Sequence, residues 1–107
     1  MKLQQMGVKA GIPDLCLPVP MGMYNGLYIE MKYDTGRLED SQKKMLKALA
    51  AAGHYCTVCY GAEEAIRVLQ EYINLKKIDA GKREDTMSEQ NLMIRKNGKV
   101  KCIIFKE

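Results

Sequence analysis

"GLYIEMKYDTGRLEDSQKKMLKALAAAGHYCTVCY", residues 26–60, decides the fold. From Leu27 to Tyr33 apolar and polar positions alternate, the period of a strand. "DTGR" turns the chain. Met45, Leu46 and Leu49 then fall on one face of a helix running from about Asp40 to Ala52, which Gly53 ends. "HYCTVCY" follows with the aromatic and β-branched content of a second strand. A strand, a helix and a strand in this order make a βαβ unit, so the two strands are predicted to be parallel.

On the amino-terminal side, "GIPDLCLPV" (11–19) runs from a turn into a short strand, and "PVPMGMYNG" (18–26) is a loop rich in Pro and Gly. This first strand and Leu27–Tyr33 are predicted to form an antiparallel hairpin. Residues 2–7 read as the end of a short helix closed by Gly7. Beyond the unit, Ala62, Ala65, Ile66, Leu69, Tyr72 and Ile73 repeat at helical spacing, giving a second helix to about Leu75. Residues 77–91 are polar and aperiodic, which marks a linker. "LMIRKNGKVKCIIF" (92–105) is a strand, an Asn-Gly turn and a strand. The predicted organisation is an α/β core over 1–76, with a mixed sheet flanked by helices, then a linker over 77–91 and a β-hairpin extension over 92–107.

With 107 residues, 47% of them hydrophobic and 28% charged, the chain suits one compact domain and argues against disorder. No apolar run is long enough to span a bilayer, so an intracellular protein without a membrane partner is expected. The net charge is +4, with nine basic and eight acidic residues up to Lys76 and eight and five after it. A polyanionic partner is allowed by this balance and not required by it.

"CTVC" (56–59) invites a zinc or redox reading. On a strand, however, Cys56 and Cys59 point to opposite faces, and no helix start follows to activate a thiol. Cys16, Cys56, Cys59 and Cys102 are therefore assigned no role. His54, the single histidine, follows Gly53 at the start of a strand and reads as incidental.

The charges inside "LYIEMK" are the informative ones. Tyr28, Glu30 and Lys32 share a face opposite the apolar face of Leu27, Ile29, Met31 and Tyr33, and the ordinary reading of such a face is solvent. The preceding strand changes that reading. A loop centred near Gly22 and Met23 sets Asp14 opposite Glu30 or Met31, so that two carboxylates meet across a hairpin. Such a pair is repulsive in a scaffold, yet a hard divalent cation requires it. Lys32 stands one step along the same face. Gln42 lies at i relative to Met45, Leu46 and Leu49 at i+3, i+4 and i+7, so its amide borders the buried face of the helix.

"GIPDL", "YIEMK" and "GRLEDSQ", with the Gly that ends the helix, resemble the PD-(D/E)xK nucleases and among them the small VRR-NUC type, over about Gly7 to Ile73. The resemblance implies a restriction-endonuclease-like fold and metal-dependent hydrolysis of phosphodiester bonds in DNA. By matching positions, Asp14, Glu30 and the backbone carbonyl of Met31 would bind Mg²⁺ or Mn²⁺. Lys32 would position the attacking water, and Gln42 would support the site. The resemblance also implies a homodimer acting on branched or junction DNA. The family pattern carries an acidic residue on a helix before the first strand, whereas here no Asp or Glu precedes Asp14, and Gln4 and Gln5 are the nearest polar residues. The alternative is a weakly active or inactive DNA-binding or assembly module on the same fold. A third reading, a thiol or zinc protein built on Cys56 and Cys59, ranks below both.

Overall fold

A computed structural model describes residues 3–5, 11–76 and 90–105. The elements are β1 (Gln4–Gln5), β2 (Leu15–Leu17), β3 (Leu27–Lys32), α1 (Asp40–Ala51), β4 (Tyr55–Tyr60), α2 (Ala62–Ile73), β5 (Gln90–Lys96) and β6 (Lys99–Phe105). They build one mixed sheet in the order β1-β2-β3-β4-β5-β6. The three central strands β3, β4 and β5 are parallel, and the outer pairings are antiparallel.

The βαβ unit forms as the sequence predicts. Its helix closes with Gly53 N–H donating to the Ala50 carbonyl at 3.0 Å and His54 N–H to the Leu49 carbonyl at 3.1 Å, the two bonds of a Schellman motif. Asn25, in the loop before β3, donates its side-chain amide to the Ala52 carbonyl at 2.9 Å, which ties the end of the helix to the hairpin.

Alternation in the strands sends the core to both faces of the sheet. On one face Leu17, Met21, Leu27, Ile29 and Cys59 pack against Ala65, Val68 and Tyr72 of α2. On the other, Cys56, Val58 and Leu92 pack against Leu46 and Ala50 of α1. Each fully buried Leu, Ile or Val contributes roughly 1.5–3 kcal/mol, so the two helices hold the sheet from opposite sides. The face that carries Tyr28, Glu30 and Lys32 is therefore not the solvent face that alternation in one strand suggests. The helix α1 lies over it, and Glu30 is only 3% exposed.

The amino-terminal segment differs from the prediction. Gln4 and Gln5 are a strand, paired with Cys16 and Leu15, instead of the end of a helix. The free edge of β2 offers unpaired backbone groups, and two exposed residues suffice to meet them. The remainder of that predicted helix and residues 77–89 of the predicted linker lie outside the described residues. The Asn-Gly hairpin forms, with Asn97 and Gly98 at φ of 53° and 74° as a type I′ turn needs. It continues the same sheet, with β5 parallel to β4. No helix among the described residues is long and apolar enough to cross a membrane.

Candidate active site

The hairpin register pairs Leu15 with Ile29, so the next step brings Asp14 opposite Glu30 just before β2 begins. The approach is fixed from behind. Gly11 has φ of 85°, and a Cβ there would lie 2.7 Å from the Ser41 carbonyl, so only glycine lets this loop press against the first turn of α1. Buried Pro13 then directs the chain into Asp14. Asp14 Oδ2 accepts the Met31 N–H at 2.8 Å. Because the N–H and C=O of one strand residue point to the same side, the Met31 carbonyl also faces the edge where Asp14 stands.

Glu30 sits beneath α1. Gln42 donates from Nε2 to Glu30 Oε1 at 3.3 Å, while its own Oε1 accepts the Glu39 N–H at 2.9 Å. The amide is thus held at both ends, capping the helix with one and steadying the carboxylate with the other. One side chain serves the helix start and the carboxylate at once. Lys32 Nζ stands 4.0 Å from Glu30 Oε1, with its side chain largely covered. The structure therefore brings Asp14, Glu30, Met31, Lys32 and Gln42 into one constellation.

Its electrostatics are unbalanced. Burial first, and then the neighbouring Asp14 carboxylate, push the Glu30 carboxyl up to about 7, against a smaller opposing pull from Lys32. Glu30 Oε2 is buried and has no hydrogen-bond partner. Two facing carboxylates, one of them with an orphaned oxygen, and a backbone carbonyl form an all-oxygen donor set, which suits a hard divalent cation. No third His, Cys, Asp or Glu joins Asp14 and Glu30 to make a larger cluster among the described residues.

The residues read as incidental stand apart from this set. Cys56 and Cys59 lie on opposite faces of β4, where burial pushes the thiols up to about 12 and about 11. His54 stacks edge-on against Tyr28 with ring centroids 5.0 Å apart, and burial lowers its pKa. Gln4 and Gln5 pair along the edge of the sheet.

Sequence reasoning missed Tyr60 and Lys96. They sit beside Lys32 at the carboxy-terminal ends of the parallel strands, with Lys96 Nζ 4.7 Å from the centre of the Tyr60 ring. The signal is a matter of register. It becomes readable only once β5 is known to lie parallel beside β4.

Comparison with known proteins agrees with this geometry. A family model of the VRR-NUC domain matches residues 2–63. A solved structure of a "VRR_NUC domain protein" is 40% identical, with a TM-score of 0.62 over 68% of this chain and 61% of that one. The chain thus spans about three fifths of the length of that relative. No curated protein matches.

Proposed function

The chain belongs to the VRR-NUC family, a nuclease-type family, and from that premise we propose that it is a metal-dependent DNA endonuclease selective for branched or junction DNA. The observation that carries the reading is the buried Glu30, set against a second carboxylate with one oxygen left without a partner. A scaffold has no use for that arrangement, and a cation relieves it.

Asp14, Glu30 and the Met31 carbonyl would hold Mg²⁺ or Mn²⁺. A divalent cation bound there supplies Lewis acidity, lowering the pKa of water and neutralising charge on the phosphate. Among the described residues, Lys32 is the cation paired with Glu30. From that position it orients an incoming water and offsets the negative charge that builds on the phosphate oxygens during attack. Gln42 fixes the rotamer of Glu30, so that the carboxylate need not reorganise when substrate arrives. Asp14 is anchored by the Met31 N–H and keeps its other oxygen for the site. The family resemblance supports a homodimer, and two such sites acting together suit the paired strands of a junction.

The test is incubation with labelled four-way junction, flap, duplex and single-stranded DNA in Mg²⁺, in Mn²⁺ and in chelator, beside Glu30→Gln and Lys32→Ala. Metal-dependent cutting, strongest on branched DNA and lost in both variants, is the expected result. Binding without cutting would sink the enzyme reading in favour of a DNA-binding module. Light scattering that gives a monomer mass would remove the dimer.

A further inference from the structure

We propose that the cleft at the carboxy-terminal ends of β3, β4 and β5 holds one unpaired nucleotide of the strand that flanks the scissile bond, with its phosphate on Lys96 and its base on Tyr33. The inference rests on the nuclease reading and adds to it what makes a branch recognisable.

The cleft has a volume of about 440 Å³, and its lining includes Tyr33, Asp34, Thr35, Tyr60, Lys96 and Asn97. That volume suits a single nucleotide and is too small for a duplex. The register explains its charge. Lys32 pairs with Tyr60, the step after Cys59–Arg95 sets Tyr60 beside Lys96, and Lys96 pairs with Lys99. Lys32, Tyr60, Lys96 and Lys99 therefore form one row across four strands on the face that bears Glu30. From the spacing of neighbouring strands, Lys96 lies about 10 Å and Lys99 about 14 Å along the row from Lys32. A backbone whose reacting phosphate sits at Glu30 and Lys32 meets these cations in turn.

The ammonium of Lys96 is held in place before any ligand arrives. Its Nζ donates to the Asp34 carbonyl at 3.0 Å and lies over the Tyr60 ring. Tyr60 in turn is fixed by its hydroxyl, which donates to the Gly36 carbonyl at 2.6 Å. Tyr33, by contrast, is 65% exposed where it lines the cleft, an aromatic surface on which no ring of the described residues stacks. A base that has left its stack finds a platform there, whereas a paired base cannot reach it. Asp34 has φ of 49°, a conformation that Asp and Asn accept more readily than other side chains, and this turn presents its carbonyl to Lys96.

The measurement is fluorescence anisotropy in Mg²⁺ in a Glu30→Gln background, which prevents cutting. The probes are a splayed-arm DNA and a fully paired duplex of the same sequence. Tyr33→Ala is expected to weaken splayed-arm binding by about five- to a hundredfold and to spare the duplex. Lys96→Gln should lower the slope of log affinity against log salt by about 0.7 on the splayed arm, with Lys96→Arg restoring it. Asp34→Asn keeps the carbonyl and the turn, removes a negative charge and should tighten binding. If the folded variants bind both DNAs as the parent does, or if Tyr33→Ala weakens both equally, the proposal is overturned. The outcomes separate the two readings. Cutting by the wild-type chain without these binding effects removes the cleft and keeps the nuclease, and the binding effects without cutting do the reverse.

Discussion

Two side chains carry charge into the interior of this sheet, each with one buried atom unpartnered, Arg95 Nε and Glu30 Oε2, but the charges set against them are of opposite kinds. Arg95 on β5 is 6% exposed and faces α2, where its guanidinium donates to Glu71 and, at 3.1 Å, to the Tyr55 hydroxyl. Burial alone would lower its pKa, yet these two bonds raise it. Glu30 on β3 is 3% exposed and faces α1, where its strongest neighbour is another carboxylate and one of its oxygens has no partner. A buried charge given an opposite partner is part of the scaffold. One set against its own kind marks a place kept for something that arrives later.

The largest expected effect tests that contrast at Glu30. Glu30→Gln keeps the shape and the bond from Gln42 but removes a cation donor, so cleavage should fall on the order of a thousandfold. In the same variant Mg²⁺ or Mn²⁺ should no longer raise the thermal midpoint, which the wild type is expected to show. A cation shift that survives the substitution would place the metal elsewhere.

The pH dependence of the metal-free protein comes next. With its folded pKa raised to about 7 from 4.5, Glu30 holds a proton in the fold that the unfolded chain has already released. Its contribution to stability is therefore fully present below about 4.5 and is lost as the pH rises through about 7. In chelator the wild type should lose on the order of 3 kcal/mol relative to Glu30→Gln between about pH 4 and about pH 8. Urea unfolding across that range checks it, and parallel curves for the two proteins would mean that the carboxylate is not strained.

Arg95 supplies the converse. Glu71→Ala leaves a buried guanidinium without its anion. Because Glu71 is itself mostly exposed, the cost falls below that of a fully buried pair, at about 2 kcal/mol. Cleavage per folded molecule should be unchanged. Lost activity in a folded Glu71→Ala protein would dissolve the distinction between the two charges.

The smallest effect concerns Gln42. Gln42→Ala removes an acceptor from the first turn of α1 and a donor from Glu30, costing about 1 kcal/mol of stability. Gln42→Glu should restore the helix, since Glu serves equally at that position of a capping box, without restoring activity. Recovery of both would reduce Gln42 to a cap.

Much of this was readable from the chain alone. Alternation in "LYIEMK" and the length of the loop before it suffice to set Asp14 against Glu30 or Met31, because hairpin register is a local property, and the observed pairing of Leu15 with Ile29 selects Glu30. Asn97 and Gly98 state their turn outright. What could not be read depends on partners distant in sequence. Burial of Glu30 comes from α1 lying over that face, and no pattern within β3 records a helix on top of it. Gln4 and Gln5 have no apolar period, and their strand exists only because β2 has a free edge. The row of Lys32, Tyr60, Lys96 and Lys99 and the pairing of Arg95 with Glu71 both require the placement of β5, which follows β4 only after a helix and a long polar stretch.

The thiols are also chemical reagents. All four are free, and Cys16, Cys56 and Cys59 are buried while Cys102 is exposed on β6. A maleimide or Ellman-type probe should therefore modify the native chain once, at Cys102, and reach the other three only as the sheet comes apart. The molecule carries its own opening counter. The number of thiols titrated in denaturant distinguishes fraying of the last strand from loss of the central ones, and a dye placed at Cys102 rides on the strand that borders the row of lysines.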